Sequence, residues 1–222
     1  MRLRGTLTTA LALAALTATP SLAAVTTKAG LPAAKPVSWT DVAGDANGLN
    51  DEGGLLPAGA DNTATPGSIA ADDLLGVTFA RLDNGKAVTG LQVTMTLKAA
   101  PASGALYRVM GSAAGCSTFF FQYSWAVGGA PVATLRHNCG VAASTTSVNP
   151  TVSVPVEAKA VGSSIVWSLK LTDLPSGIKL GSVLSPTRGE TRTIVGASSQ
   201  SLLTAPVIDQ TDLQTATYKI GQ

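Results

Sequence analysis

Apolar residues fall on every second position in run after run of this chain, and no segment beyond the first two dozen residues carries ten or more positions of helical period. Leu75, Val77 and Phe79 alternate with other residues, as do Leu91, Val93, Met95 and Leu97, and Leu106 and Val109 lie around Tyr107. A period of two sends alternate side chains to opposite faces of a strand, so each run reads as a strand with one buried face. Further runs span 117–125, 131–137, 151–156, 164–171, 191–195 and 215–220, most of them separated by Gly, Pro, Asn or Ser. Asp83-Asn84-Gly85 and Gly128-Gly129 supply the residues tolerant of positive φ that tight hairpins need. The pattern predicts an all-β chain, a two-sheet antiparallel β-sandwich of immunoglobulin-like or jelly-roll-like kind. Only 173–190 resists this reading, because Pro175, Gly177, Gly181 and Pro186 break any period; a long irregular loop with at most one short strand is expected there.

The amino terminus has a different logic. Arg2 and Arg4 precede a Leu/Ala run from Leu11 to Leu16, and the small residues Ser21-Leu22-Ala23-Ala24 follow Pro20. That is the layout of a secretory signal peptide over 1–24, with cleavage expected after Ala23 or Ala24. The apolar run is too short for a permanent anchor, and no lipidation Cys or sorting signal follows, so a freely secreted, extracellular protein without a membrane anchor is expected. Removing the leader takes away Arg2 and Arg4 and leaves thirteen basic against thirteen acidic side chains. With no Lys or Arg cluster along the chain, no nucleic-acid or anionic-membrane partner is expected. Residues 25–37, rich in Ala, Pro and Lys, read as a flexible lead-in to a single domain over 38–222.

Two cysteines, Cys116 and Cys139, are predicted to pair after export. In the chain-entropy description, a loop of this size makes the bridge worth roughly 3 kcal/mol. His137, the only histidine, lies two residues before Cys139. It is expected to be structural, because no G-x-S-x-G elbow, H-E-x-x-H helix or P-loop accompanies it.

Charge is distributed unevenly. Asp41, Asp45, Asp51, Glu52, Asp61, Asp72 and Asp73 place seven of the thirteen acids in 41–73, a stretch without a single Lys or Arg. Crowded carboxylates repel unless water, salt or a cation screens them, and Ca²⁺ is the hard cation that takes about six to eight such oxygens. Asp41, Asp45, Asn47 and Asp51, with backbone carbonyls turned inward around Gly44 and Gly48, form the expected calcium loop, completed by Asp72 or Asp73 from the next strand. The competing reading is that Asp, Asn and Gly here make solvated turns whose acids never converge. The Gly44-Asp45-Ala46-Asn47-Gly48 core resembles the loops of dockerin modules and EF-hands. Leu49 nevertheless stands at a ligand position of that pattern, and starting at Asp41 puts Ala43 at a ligand and Ala46 at the required glycine.

Trp39-Thr40-Asp41-Val42-Ala43-Gly44-Asp45, followed by Asp72-Asp73-Leu74-Leu75-Gly76-Val77, resembles the D-x-x-G-D turn and strand start of secreted actinobacterial β-sandwich proteins and, more remotely, of DOMON domains and family 9 carbohydrate-binding modules. The resemblance implies a jelly-roll-like sandwich, structural calcium in some relatives, and extracellular binding as the usual role.

These readings converge on a secreted, non-catalytic binding or envelope-associated module with a structural calcium site and an extracellular carbohydrate or protein ligand. The alternative is an extracellular hydrolase acting on a polysaccharide or other polymer, which needs two facing carboxylates, Glu157 with Glu190 or Asp173. Among aromatics, alternation places Phe119, Phe121, Tyr123 and Trp125 on one face, expected to be core, and Trp167 in its own apolar run; Trp39 is expected to be the exposed one.

Overall fold

Alternation becomes two sheets. In the computed structural model, which describes residues 30–41, 71–140, 152–193, 207–211 and 214–222, a five-stranded sheet runs in the order β1 (Val37–Thr40), β2 (Leu74–Asp83), β3 (Val88–Leu97), β9 (Ser164–Lys170) and β8 (Glu157–Val161). A seven-stranded sheet runs β11 (Val207–Gln210), β10 (Val183–Thr193), β4 (Ala105–Ala113), β5 (Cys116–Trp125), β6 (Val132–His137) and β7 (Val152–Pro155), with β12 (Tyr218–Lys219) also paired to β10. All the strand pairs are antiparallel. The two sheets face each other as a β-sandwich, and Leu31–Gln222 forms one compact unit. Among the described residues no helix is long and apolar enough to cross a membrane.

The inward sets are those the alternation selects. Val77 and Phe79, then Leu91, Val93, Met95 and Leu97, then Ile165, Trp167 and Leu169 are buried from the five-stranded sheet. Val109, Phe119, Phe121, Tyr123 and Leu135 meet them from the other. Phe121 is the hub, with ring centroids 6.2 Å from Phe79, 5.6 Å from Phe119 and 6.5 Å from Trp167. Edge-on and tilted contacts at these separations suit the ring quadrupoles and add to the area buried. Trp167 also crosses the sandwich through its polar atom: the indole N–H donates to the Gln122 carbonyl of the opposite sheet at 3.3 Å.

Turns fall where their chemistry allows. The β2–β3 hairpin closes through Asp83-Asn84-Gly85, with Gly85 at φ +79° and Asn84 Oδ1 accepting from the N–H groups of Lys86 and Ala87. Gly128, at φ +73°, turns β5 into β6. A single run serves as an edge of both sheets, since β7 pairs with β6, Val156 N–H donates to the Ala133 carbonyl, and β8 then pairs with β9. Cys116 and Cys139 are bonded and join the start of β5 to the residues just after β6.

Three sequence expectations change. Residues 173–190 are not one long loop: only a 3-10 turn, Leu171–Asp173, and the stretch up to Ser182 are irregular, and β10 begins at Val183. Pro186 is accommodated at a register shift between Pro186 and Arg188, where the ladder is already interrupted. Trp39 is buried rather than exposed, because Val37–Thr40 is a strand and its alternation turns Trp39 onto Phe79, stacked at 5.7 Å. The end of the lead-in is tied down, with the carbonyls of Pro32 and Lys35 accepting from Arg81 and Gln222.

Trp167→Ala should cost about 3–5 kcal/mol in urea unfolding, since it removes both a buried indole and a bond between the sheets. Val127→Ala, at a side chain 79% exposed, should change stability by less than about 0.5 kcal/mol.

Candidate functional site

The β1–β2 ladder brings the two ends of the acidic segment together. Trp39 pairs with Val77 and Thr40 with Gly76, and the Asp41 N–H then donates to the Leu75 carbonyl at 2.9 Å. Asp41 therefore leaves the ladder beside the strand that Asp72 and Asp73 lead into. Asp45, Asn47 and Asp51 lie outside the described residues.

Asp72 and Asp73 are not solvated turn residues. Both are buried, and they sit over an inward-facing polar row of the opposite sheet, in which Asp209, Thr191, Tyr107 and Tyr123 are successive cross-strand partners. Four bonds lock them there. The Leu74 N–H donates to Asp209 Oδ2 at 2.6 Å, the Thr191 hydroxyl to the Asp72 carbonyl at 2.7 Å, and Lys98 donates both its Nζ to Asp73 Oδ2 and its backbone N–H to the Asp73 carbonyl, each at 2.8 Å. Backbone groups inside a sandwich must find partners, and here side chains supply them where the ladder has not yet begun.

The Asp72 carboxyl stands apart. It is hydrogen-bonded to the Tyr107 hydroxyl, which also receives the Ala102 N–H at 3.0 Å, yet its Oδ1 is buried with no hydrogen-bond partner. Burial pushes its pKa from 3.8 up to about 6, with Tyr107 acting in the opposite direction. The same burial, with Ala102 opposing and Asp72 adding to it, pushes the Tyr107 phenol up.

These observations bear on how well a cation fits. A buried carboxylate oxygen without a partner is an available ligand, and Asp41 is brought to the same end of the ladder. Asp73 already holds an ammonium group, and Asp209 already holds a backbone N–H. Among the described residues no group of three or more His, Cys, Asp or Glu is arranged to hold a metal ion. Asp41 and Asp72 are thus the described residues best placed to contribute.

Of the carboxylates considered for hydrolysis, Glu157 and Glu190 are kept apart by the sandwich. Glu157 pairs with Ser168 on the outer face of the five-stranded sheet, whereas Glu190 lies on the outer face of the seven-stranded sheet. Glu190 is engaged by Arg108 at 2.9 Å and by Arg192 through two bonds, at 2.7 and 3.1 Å. Arg108 is itself buried, with its guanidinium 5.1 Å from the centroid of the Phe120 ring; burial lowers its pKa to about 10, and Glu190 opposes the shift. Sequence reading saw no basic cluster, yet strand register sets Arg108, Arg136, Arg188 and Arg192 on one face. Asp83 lies with Glu157 along a shallow groove of the five-stranded sheet. The Gly85 N–H and Arg81 hold its carboxyl below the ordinary range, the opposite of what a general acid needs.

His137 is buried beside the disulfide, with its Nδ1 accepting from the Cys139 N–H at 3.3 Å and its pKa lowered by burial. That is the structural role expected of it. Asp209, Thr191 and Tyr107, by contrast, carried no sequence signal as a group, because they come from three strands and meet only through register.

No protein-family model matches this chain, and comparison with curated proteins and with solved structures returns no match.

A carboxyl whose pKa is raised on folding is protonated in the native state over a range where the unfolded chain is ionised. The stability it contributes is complete below about pH 3.8 and is lost as pH rises through about 6. Wild-type protein should lose roughly 2.4 kcal/mol of this contribution between pH 4 and pH 7.5. Asp72→Asn should flatten that part of the profile when urea midpoints are compared across the range.

Proposed function

We propose that this chain is exported and acts outside the cell as a non-catalytic β-sandwich module, a binding or envelope-associated protein whose acidic end is fastened by one structural Ca²⁺. The observation that carries the reading is twofold: the Asp41 backbone is held to Leu75, in the strand that Asp72 and Asp73 lead into, and the buried Asp72 carboxyl keeps one oxygen with no protein partner. Asp41 and Asp72 would hold the ion together with Asp45, Asn47 and Asp51 of the intervening segment, and Asp73 would join only by giving up Lys98. A calcium ion there would neutralise crowded carboxylates and tie a glycine-rich segment to the sheet. It would also lower the pKa of Asp72, because a cation favours the ionised form. The leader-like amino terminus, the Cys116–Cys139 bridge and the resemblance to secreted β-sandwich proteins point the same way. The hydrolase alternative has less support, since Glu157 and Glu190 lie on opposite sides of the sandwich.

Thermal melts of the mature protein after EDTA treatment test this. Ca²⁺ at about a hundredfold over its Kd should add about 2.7 kcal/mol to native stability. The rise should be absent with Mg²⁺ and lost in Asp45→Ala and Asp72→Asn. It should be larger at pH 7.5 than at pH 4.5, where protons compete for Asp72. No shift, together with no heat of binding in direct titration, would remove calcium from the account.

A further inference from the structure

The two outer faces of the sandwich differ in chemistry. The seven-stranded sheet turns buried ionic residues outward, whereas the five-stranded sheet presents an accessible face on which β1, β2, β3 and β9 put no charged side chain into the three central rows. Its cross-strand register sets Thr40, Gly76, Thr96 and Ser164 in one row, Ser38, Thr78, Thr94 and Val166 in the next, and Ala80, Gln92 and Ser168 in a third, and the edge strand β8 ends these rows with Val161, Lys159 and Glu157 respectively. Hydroxyls on such a lattice lie about 4.8 Å apart across strands and about 7 Å apart along them. Ser38 and Thr40 are exposed, and Thr78, Thr94, Thr96, Ser164 and Ser168 are half-buried. The Ser38 and Thr78 hydroxyls bond each other at 2.8 Å. Charged groups appear at the rim of the face, as Lys159 and Glu157 on β8, Lys170 at the end of β9 and Asp83 at the end of β2, where Asp83 also lines the groove. There Glu157, Lys170, Ser168 and Thr89 line the shallow groove that continues the face.

We propose that this face is the ligand surface, and that it takes an uncharged, hydroxyl-rich polymer, a neutral polysaccharide, by hydrogen bonding rather than by aromatic stacking. The inference rests on the binding-module reading and deepens it.

Three features select this partner. Each Ser or Thr hydroxyl both donates and accepts, so a ligand that matches the face must offer donors and acceptors together, as sugar hydroxyls do. An anionic polymer would call for lysines and arginines across these rows, and they hold only Lys159, at the β8 edge, with the opposite charge of Glu157 in the adjacent row. A protein partner or a second copy of this chain would bury an apolar or aromatic centre. Phe79, Trp167 and Trp39, which belong to these strands, all turn inward. Small residues keep the middle of the face low, and Gly90 has to stay small because a Cβ would strike the Leu169 carbonyl. Lys170 and Glu157 at the groove can add charge-assisted bonds to individual sugar hydroxyls.

The test uses the mature secreted protein in sedimentation assays with cellulose, chitin and an insoluble neutral β-glucan, at 0.1 and 1 M NaCl, with alginate as the anionic control and with isolated cell envelopes alongside. The account predicts retention on a neutral polymer that is unchanged by salt. It predicts an affinity about tenfold weaker or more for Thr94→Lys combined with Ser168→Lys, at unchanged melting temperature. Thr94→Val, which keeps strand propensity and shape but loses the hydroxyl, should weaken binding about threefold, and it stands in should the lysine variant not fold. Salt-sensitive binding to alginate alone, self-association abolished by Thr94→Lys, or neutral-polymer binding indifferent to these variants would each overturn the assignment. Binding to envelopes without binding to any neutral polymer would overturn it too, yet leave the binding-module reading standing. Binding to neither would remove both.

Discussion

The bond from the Leu74 N–H to Asp209 fixes how the two sheets meet at the acidic end of the molecule. It joins the first residue of β2, in one sheet, to β11, at the edge of the other, across 135 residues of sequence. Asp72 and Asp73 are held inside the sandwich by that anchorage and by Thr191 and Lys98. Burying carboxylates is costly, and the cost is offset where each oxygen finds a donor. Asp73 takes the Lys98 ammonium and Asp209 the Leu74 N–H, while Asp72 keeps one oxygen unmatched. The most chemically distinctive group in the chain is thus a by-product of how β2 is started.

The two sheets use their outer faces differently. On the seven-stranded sheet, Glu190 bridges two arginines and Phe120 lies beneath one of them, so the charges are consumed internally. Taking Glu190 away would leave the Arg108 charge buried without its carboxylate, which makes the cluster a source of specificity as much as of stability. The five-stranded sheet carries its hydrophobic load inward through Trp167, Phe79 and Leu91 and leaves hydroxyls outside. A β-sandwich with one face locked and one face open has a built-in polarity, and both the binding reading and the polysaccharide inference draw on it.

Much of the architecture was legible in the residues, for reasons that can be named. Alternation identified the inward sets of β2, β3, β5 and β9, because each is long enough to repeat its period several times. Asp83-Asn84-Gly85 marked a hairpin through backbone sterics, and the expectation of export implied the Cys116–Cys139 bridge. β10 was hidden because Pro186, Gly181 and Gly177 interrupt its apolar signal, although the bulge at Pro186 lets the strand pass through. Trp39 was misjudged because a four-residue strand offers too few positions to read a period. Neither the arginine face nor the row of Asp209, Thr191 and Tyr107 could be foreseen, since each depends on the register of strands far apart in sequence. Asp72 was legible as a candidate ligand but not as a buried one, because burial is a property of the assembled sandwich.

The most direct test of this account is the carboxyl carbon shift of Asp72, followed by NMR across pH 3 to 8 with and without Ca²⁺. The account predicts titration near pH 6 in the absence of calcium and a clear downward move when calcium is added. A midpoint near 3.8 that calcium leaves unmoved would mean that Asp72 is a solvated turn residue, and the proposed ion site would lose its centre.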